Sequence, residues 1–263
     1  MALIKIGFFS ETLRMCANCT VILPQLPDAD APARKFPTLY LLHGISRSNS
    51  AWQRMTRIEH YALTHGVAVV MPDGNLSSYA DMKHGLKYFS FIADELPKVM
   101  RNFFPLSDKR EENFICGASM GGYGALKIGL SRPEQFAAIG SLSSGISGCR
   151  ACLARLDDRG LSLEELTFGK GGLDAEEAAI VANARAIAES GENAPRVFIT
   201  CGSEDTRLLE STRRTRDFFQ SFPGNPFDLE YTEHPGGHDW GYWDAHICDF
   251  LRFAGLKPGG KLL

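Results

Sequence analysis

The stretch 113–125, NFICGASMGGYGA, constrains the fold of this chain more than any other. A short apolar run precedes Ser119, which lies between Gly117 and Gly121, and a helical pattern follows from Tyr123 to Leu130. Gly-x-Ser-x-Gly between a strand and a helix is typical of a sharp turn that holds the serine hydroxyl above the edge of a sheet. We therefore predict that Ser119 is a nucleophile. The simpler interpretation is a glycine-rich turn that only lets a helix pack closely on a strand.

Composition narrows the class of protein. The chain has 263 residues, of which 44% are hydrophobic and 22% charged, as in an ordinary soluble globular protein. A net charge of −3 gives no reason to expect a nucleic-acid or membrane-surface partner. No apolar run approaches the roughly 20 residues that span a bilayer, and residues 1–10 do not resemble a signal peptide. We therefore expect a cytoplasmic protein.

The cysteines do not indicate a disulfide framework. There are seven, an odd number, and several lie within apolar runs, which favours reduced thiols. Cys16/Cys19 and Cys149/Cys152 both have Cys-x-x-Cys spacing. A zinc site is disfavoured because Cys16 and Cys19 are expected on a strand, where an offset of three puts side chains on opposite faces. A local redox role for Cys149 and Cys152 stays open, and we expect no metal or cofactor.

Apolar runs alternate with helical patterns along the chain. Two strands within 4–24 indicate an antiparallel edge. The runs 38–42 and 67–71 are continuously apolar, which predicts strands buried on both faces. Further strands are predicted at 113–116, 137–142, 196–201 and 227–231. Helices are predicted over 50–64, 86–104 with a kink at Pro97, 123–130, 207–222 and 243–253. The chain is thus predicted to be α/β: one domain over 1–263 with a doubly wound, mostly parallel sheet. Residues 145–190 break the alternation and predict a helical, cap-like insertion over the site.

Polar residues follow the ends of the predicted strands, at the edge where such sheets bind ligands. A serine hydroxyl needs a base to take its proton and an acid group to orient that base. In this architecture the chain order is serine, acid, histidine, which favours Asp205 as the acid and His238 as the base for Ser119. The alternatives are Glu204 or Asp73 as the acid and His234 as the base.

Two backbone amides are candidates for an oxyanion hole. The amide of Met120 follows the serine at a predicted helix start, where an oxyanion would form. The loop after His43 is expected to supply the second donor, on Ile45. His43 itself is expected to hold that loop through a hydrogen bond.

Aromatic residues near the predicted site are candidate substrate contacts. They are Tyr79, in a polar loop, and Trp240, beside the predicted base. Packing of the closing helix on the sheet is the simpler role for Trp240.

Six segments from the first strands to the closing helix carry a resemblance to a known family. They are Leu42-His43-Gly44, Val70-Met71-Pro72-Asp73, Asp94-Glu95-Leu96-Pro97, Gly117-Ala118-Ser119-Met120-Gly121-Gly122, Gly202-Ser203-Glu204-Asp205 and Gly237-His238-Asp239-Trp240. In these segments the chain resembles the esterase D-like branch of the α/β-hydrolases. Within that branch it looks most like the bacterial tributyrin esterases and feruloyl (cinnamoyl) esterases.

The resemblance implies an α/β-hydrolase fold and a serine carboxylesterase that needs no cofactor. The implied substrates are short-chain acyl or aryl esters, cleaved through an acyl-serine intermediate. The resemblance carries the nucleophile onto Ser119, the acid onto Asp205, the base onto His238, and the oxyanion donors onto Met120 and Ile45. The Cys-Arg-Ala-Cys stretch in the insertion is not usual in the group, so the substrate does not carry over with the residues.

Three other functions compete with this hypothesis. One is a thioesterase similar to the S-formylglutathione hydrolases, although the loop after His43 lacks their usual cysteine. A second is an acyltransferase, in which an acceptor alcohol outcompetes water. A third is a binding protein that keeps the fold without turnover. The expected partner is a small-molecule ester, and assembly into a homo-oligomer through apolar residues of the insertion is left open.

Overall fold

A sheet of hydrogen-bonded strands forms the centre of the molecule. The computed structural model describes residues 1–25, 34–148, 150–154 and 160–259. The strands are β1 (Ala2–Ser10), β2 (Met15–Leu23), β3 (Thr38–Leu42), β4 (Ala68–Pro72), β5 (Asn113–Ala118), β6 (Ala138–Leu142), β7 (Arg196–Gly202) and β8 (Glu230–His234). They form one eight-stranded sheet in the order β1-β2-β4-β3-β5-β6-β7-β8. The β1–β2 and β2–β4 pairs are antiparallel and all the others are parallel, which confirms the predicted fold class.

Helices cover both faces of the sheet. They are α1 (Ala51–Met55), α2 (Ile58–His65), α3 (Tyr88–Ser90), α4 (Leu96–Phe103), α5 (Met120–Ser131), α6 (Arg150–Leu153), α7 (Leu163–Phe168), α8 (Gly172–Ser190), α9 (Leu209–Gln220) and α10 (Trp240–Phe253). A π-helical turn joins α3 to α4, and a 3-10 turn precedes β5. Within the described ranges, none of the helices combines the length and the apolar character that crossing a membrane requires.

The central strands divide their side chains between two apolar cores. Tyr40 and Leu42 of β3 face the core that α4, α5 and α8 cover. Leu39 and Leu41 of the same strand face the core beneath α1, α2 and α10. All four side chains are buried, which explains why the run 38–42 is continuously apolar rather than alternating.

Two predicted helices differ from the helices that are observed. The pattern over 50–64 is two helices, because Thr56 has extended backbone angles (φ −139°, ψ 173°) and separates α1 from α2. The helix predicted over 86–104 runs unbroken from 88 to 103 through a π-helical turn at Phe91–Glu95, which precedes Pro97. Pro97 itself occupies the first turn of α4, where its missing N–H is tolerated.

The last strand and the closing helix differ from their predicted bounds. The run 227–231 was predicted as a strand, but the strand is Glu230–His234. Phe227 is instead fully buried against Phe219 and Phe222 before the strand begins, so its apolar character reflects core packing. The closing helix starts at Trp240 rather than at 243 because the Asp239 side chain accepts a hydrogen bond from the Tyr242 amide and caps it.

The cysteine hypotheses are tested only in part. Cys16 is exposed and Cys19 is buried, so the two lie on opposite faces of β2 as the offset of three requires. The second Cys-x-x-Cys pair includes Cys149, which lies outside the described residues, so the redox role of that pair stays untested.

The insertion is attached to the sheet through a charged contact in an apolar setting. Helix α8 packs on α5, where the Lys127 ammonium lies 2.7 Å from the Glu176 carboxylate and above the rings of Phe89 and Phe168. The Lys127 side chain is only 8% exposed. Burial lowers the pKa of Lys127, and Glu176 opposes that shift by favouring the charged form.

Replacing Glu176 with glutamine is expected to destabilise the protein. Because Lys127 would then be buried without a full counter-charge, we expect the free energy of unfolding to fall by about 1–3 kcal/mol, measured by urea denaturation. Glu189→Gln, an exposed position on the same helix, is the control and should change stability by less than about 0.5 kcal/mol. Equal losses in both variants would show that the contact contributes nothing specific.

Candidate active site

Ser119 lies in a strained turn between β5 and α5. Its backbone angles, φ 57° and ψ −123°, are rare for a residue with a side chain. The turn brings α5 so close to the sheet that a Cβ at Gly121 would lie 2.3 Å from the carbonyl oxygen of Leu42. A Cβ at Gly117 would lie 2.4 Å from the backbone of Gly121. Both flanking residues must therefore be glycine, and the serine is held at the end of the strand.

Three side chains form a hydrogen-bonded chain at this turn. The Ser119 Oγ lies 2.9 Å from Nε2 of His238, and Nδ1 of His238 lies 2.7 Å from Oδ2 of Asp205. Because a carboxylate only accepts hydrogen bonds, Nδ1 donates to Asp205 and Nε2 is left to accept from the serine hydroxyl. The loop that carries His238 is held against β7, since a Cβ at Gly202 would lie 2.2 Å from the oxygen of Gly236.

Asp205 is buried and remains a carboxylate. It is 1% exposed, and its Oδ1 accepts hydrogen bonds at 3.1 Å from the amides of Arg207 and Leu208. Burial alone would raise its pKa, but the contact with His238 and the two amides outweigh burial and hold the pKa of Asp205 below its usual value. The carboxylate can therefore orient and stabilise a protonated imidazole.

The alternative acids and the alternative base lie elsewhere. Glu204 is exposed, and Asp73 approaches His43 rather than His238. His234 stacks on His246, with ring centroids 4.3 Å apart and nearly parallel planes.

The loop after β3 lies directly on the serine. A Cβ at Gly44 would be 3.4 Å from the carbonyl oxygen of Ala118 and 3.5 Å from the Cβ of Ser119. Ile45 follows Gly44 in this loop. Met120 is the first residue of α5, so the Met120 amide has no hydrogen-bond partner within the helix. Ile45, Met120 and Ser119 line the same cavity, so both expected oxyanion donors lie beside the serine.

His43 fixes the conformation of this loop. The imidazole is 1% exposed; Nδ1 donates to the Gly44 oxygen at 2.8 Å, and Nε2 accepts from the Gly74 amide at 2.9 Å. The Tyr79 hydroxyl donates to the His43 carbonyl oxygen at 2.8 Å. Tyr79 has none of its surface exposed and lines neither cavity at Ser119, so the structure gives the predicted substrate contact no support. It supports the loop from below.

Two cavities meet at Ser119. One has a volume of about 20 Å³ and is lined by Ile45, Ser78, Ser119, Met120, Tyr123, Gly148, Cys152, Leu153 and Leu173. The second is a cleft of about 480 Å³ lined by Gly44, Ile45, Ser46, Arg47, Ser119, Cys152, Arg207, Leu208, His238, Asp239, Trp240 and Trp243. Trp240 therefore lines the cleft and also packs edge-on against Trp52 and Trp243. Contact with substrate and packing of the closing helix are both compatible with this position.

Sequence reasoning missed the walls of the small cavity. Tyr123 belongs to α5, whereas Leu153 and Leu173 come from the insertion helices α6 and α8. Only the tertiary arrangement brings them to the serine, and no motif marks them.

One cluster of potential metal ligands lies at another cavity. His234, His246 and Asp249 have ligand atoms within 4.8 Å of one another. However, Asp249 is already bonded to His246 Nδ1 and paired with Arg252. The parallel stacking of the two rings also keeps their lone pairs from converging, so the arrangement favours a packing contact over a metal centre.

Several known proteins are similar to this chain in sequence and in fold. The model of the putative esterase family matches residues 14–254. An acetyl esterase of Caldicellulosiruptor saccharolyticus is 32% identical over 96% of this chain and 98% of its own length. A substrate-bound, fluorophosphonate-binding serine hydrolase of Staphylococcus aureus is 30% identical with a TM-score of 0.85, covering 96% of this chain and 98% of its own. An S-formylglutathione hydrolase of Staphylococcus aureus is 29% identical with a TM-score of 0.79 and the same coverage of both chains.

Removing the Tyr79 hydroxyl is expected to weaken the support of the loop. Tyr79→Phe leaves the buried His43 carbonyl without its donor, so the free energy of unfolding should fall by about 1–2 kcal/mol. Tyr40→Phe is the matched control because its hydroxyl is also buried but has no hydrogen-bond partner among the described residues. We expect that control to be neutral or slightly stabilised in urea denaturation. A Tyr40 variant as unstable as the Tyr79 variant would contradict this account.

Proposed function

The chain belongs to the putative esterase family, and on that premise we propose that Ser119, His238 and Asp205 are its catalytic triad. The protein is a carboxylic ester hydrolase of the serine type. The observation that carries the assignment of residues is the continuous hydrogen-bonded chain from the Ser119 hydroxyl through His238 to the buried Asp205 carboxylate.

In the first half of the reaction, Ser119 Oγ attacks the ester carbonyl carbon while His238 Nε2 takes the hydroxyl proton. The negative charge that develops on the carbonyl oxygen is stabilised by the amides of Met120 and Ile45. Loss of one such donor typically costs about 2.7–4 kcal/mol in the transition state. His238 then gives its proton to the leaving alcohol as the carbon–oxygen bond breaks, which leaves an acyl-serine.

In the second half, water replaces the alcohol. His238 takes a proton from the water as its oxygen attacks the acyl carbon, and then returns a proton to Ser119 as the acid leaves. Asp205 stays ionised throughout and stabilises the imidazolium in both halves. Its lowered pKa supports this role.

The small cavity supports a short acyl group. Its volume of about 20 Å³ compares with the roughly 10–15 Å³ of such space that one water molecule needs. Met120, Tyr123, Leu153 and Leu173 make its walls apolar. We assign this cavity to the acyl group and an acetyl group as its best occupant, in line with the acetyl esterase relative. The wide cleft is then left for the alcohol portion.

The insertion is assigned to the same domain as a cap. Leu153 of α6 and Leu173 of α8 reach the small cavity, while α8 packs on α5 behind the serine. These contacts support one domain over 1–263 in which the insertion 145–190 limits the acyl length.

A thioesterase is the second candidate. A formyl group is smaller than an acetyl group and fits the same cavity, and one relative is an S-formylglutathione hydrolase. Turnover of S-formylglutathione with a kcat/KM above that of acetyl esters would favour it.

The rate should depend steeply on acyl length. With p-nitrophenyl acetate, butyrate and octanoate we expect kcat/KM to fall by about 10-fold or more from acetate to butyrate, because extra methylenes do not fit. Ser119→Ala is expected to lose turnover by about 10⁶-fold and to resist labelling by a fluorophosphonate. A variant that keeps substantial turnover would overturn the role of Ser119, and a preference for octanoate would overturn the assignment of the acyl cavity.

Substitutions at Asp205 and at the adjacent Glu204 distinguish which of the two is the orienting acid. Asp205→Asn should lower kcat by about 10³–10⁴-fold, because the amide cannot stabilise the imidazolium and favours the wrong tautomer. Glu204→Gln, one residue away and exposed, is the control and should retain the wild-type kcat. The reverse pattern would make Glu204 the orienting acid.

A further inference from the structure

Two arginines line the cleft at Ser119 and have no counter-charge among the residues that the structure describes. Arg47 lies in the loop after β3 and Arg207 just before α9, and both are exposed and line the cleft. Neither forms a salt bridge with a residue in the described part of the chain. Of the arginines elsewhere, Arg132 and Arg213 lie 2.8 and 2.6 Å from carboxylates, whereas the exposed Arg185 has no such pair among the described residues.

Asp239, in the cleft, and Asp205, in the proposed triad, form no salt bridge with these arginines. Asp239 lines the same cleft, but its Oδ1 accepts a hydrogen bond at 3.0 Å from the Tyr242 amide at the start of α10. Its charge therefore already compensates the positive end of that helix. Asp205 is buried and bonded to His238 and two amides. The described residues that line the cleft thus carry two arginine charges against the one carboxylate of Asp239, in a chain whose net charge is −3.

The two arginines lie in the part of the site that faces the alcohol portion of the ester. The acyl group occupies the small apolar cavity in the proposed mechanism, so the cleft with the two arginines holds the alcohol portion of the ester. Guanidinium groups bind carboxylates and phosphates through paired, charge-assisted hydrogen bonds. A positive cleft also raises the local concentration of anionic substrates and their rate of encounter.

We propose that the preferred substrates are short-chain esters whose alcohol portion carries a carboxylate or phosphate group, bound by Arg47 and Arg207. This inference rests on the proposed function. The chemistry at Ser119 is unchanged: the bond between the acyl carbon and the alcohol oxygen breaks, and the anionic alcohol leaves with the proton from His238. The arginines are specificity residues, so their effect lies mainly in KM.

The test compares esters that share the acetyl group and differ in charge. They are 4-acetoxybenzoate, 4-acetoxyphenyl phosphate and the neutral methyl 4-acetoxybenzoate. The measured quantity is the ratio of kcat/KM for each charged ester to that for the neutral one, so that intrinsic reactivity cancels between variants. We expect Arg47→Gln and Arg207→Gln each to lower this ratio by about 2- to 5-fold, and the double variant by about 10-fold. Sodium chloride at high concentration should lower the ratio in the wild type and have less effect in the double variant.

Arg185→Gln is the matched control, because it removes the same charge from an exposed position on α8 away from the cleft. Its ratio should equal that of the wild type. A larger loss for the benzoate identifies a carboxylate as the natural group, and a larger loss for the phosphate ester identifies a phosphate. An unchanged ratio in the double variant overturns the proposal while leaving the esterase intact. Failure of the wild type to hydrolyse even the neutral ester overturns the proposed function and this inference together.

Discussion

The close contact between the start of α5 and the ends of β3 and β5 is the constraint on which the site depends. At Gly117 and Gly121 the backbones approach so closely that no Cβ fits between them. This contact forces Ser119 into a left-handed conformation that its side chain disfavours. The cost of that strain is offset by the buried sheet and helix on either side. In return the hydroxyl stands at the sheet edge, within reach of His238.

The parts around the serine are fixed by buried polar groups that are themselves bonded. His43 ties the loop after β3 to the Gly74 amide, and Tyr79 supports the same loop from beneath. Asp205 uses one oxygen for the backbone and the other for His238. Because the side chains of His43, Tyr79 and Asp205 each have defined partners, the loops that carry them cannot shift without leaving a buried polar group unsatisfied. A rigid site of this kind is suited to stabilising charge that appears only in the transition state.

The two cavities that meet at Ser119 differ in size and in the chemistry of their walls. The small one is lined mainly by apolar side chains, some of them from the insertion, whereas the cleft is wide and bordered by Arg47, Arg207 and Trp240. Ser119 lies where they meet. In the proposed mechanism the insertion therefore lies on the acyl side of the ester, and the loops at the sheet edge lie on the alcohol side.

The sequence by itself determined the fold class, the strained serine turn and the family, because strand periodicity, obligatory glycines and short motifs are local properties. It also indicated Asp205 and His238, since the order of strands along the chain limits which residues can meet at the sheet edge. Only the tertiary structure decided the placement of Tyr79, Leu153 and Leu173. Distant segments must pack together before a side chain can line a cavity, as the two leucines do, or support a loop, as Tyr79 does. The shift of the last strand has the same cause: Phe227 is apolar because it fills an aromatic core, and its sequence pattern cannot distinguish that burial from a strand.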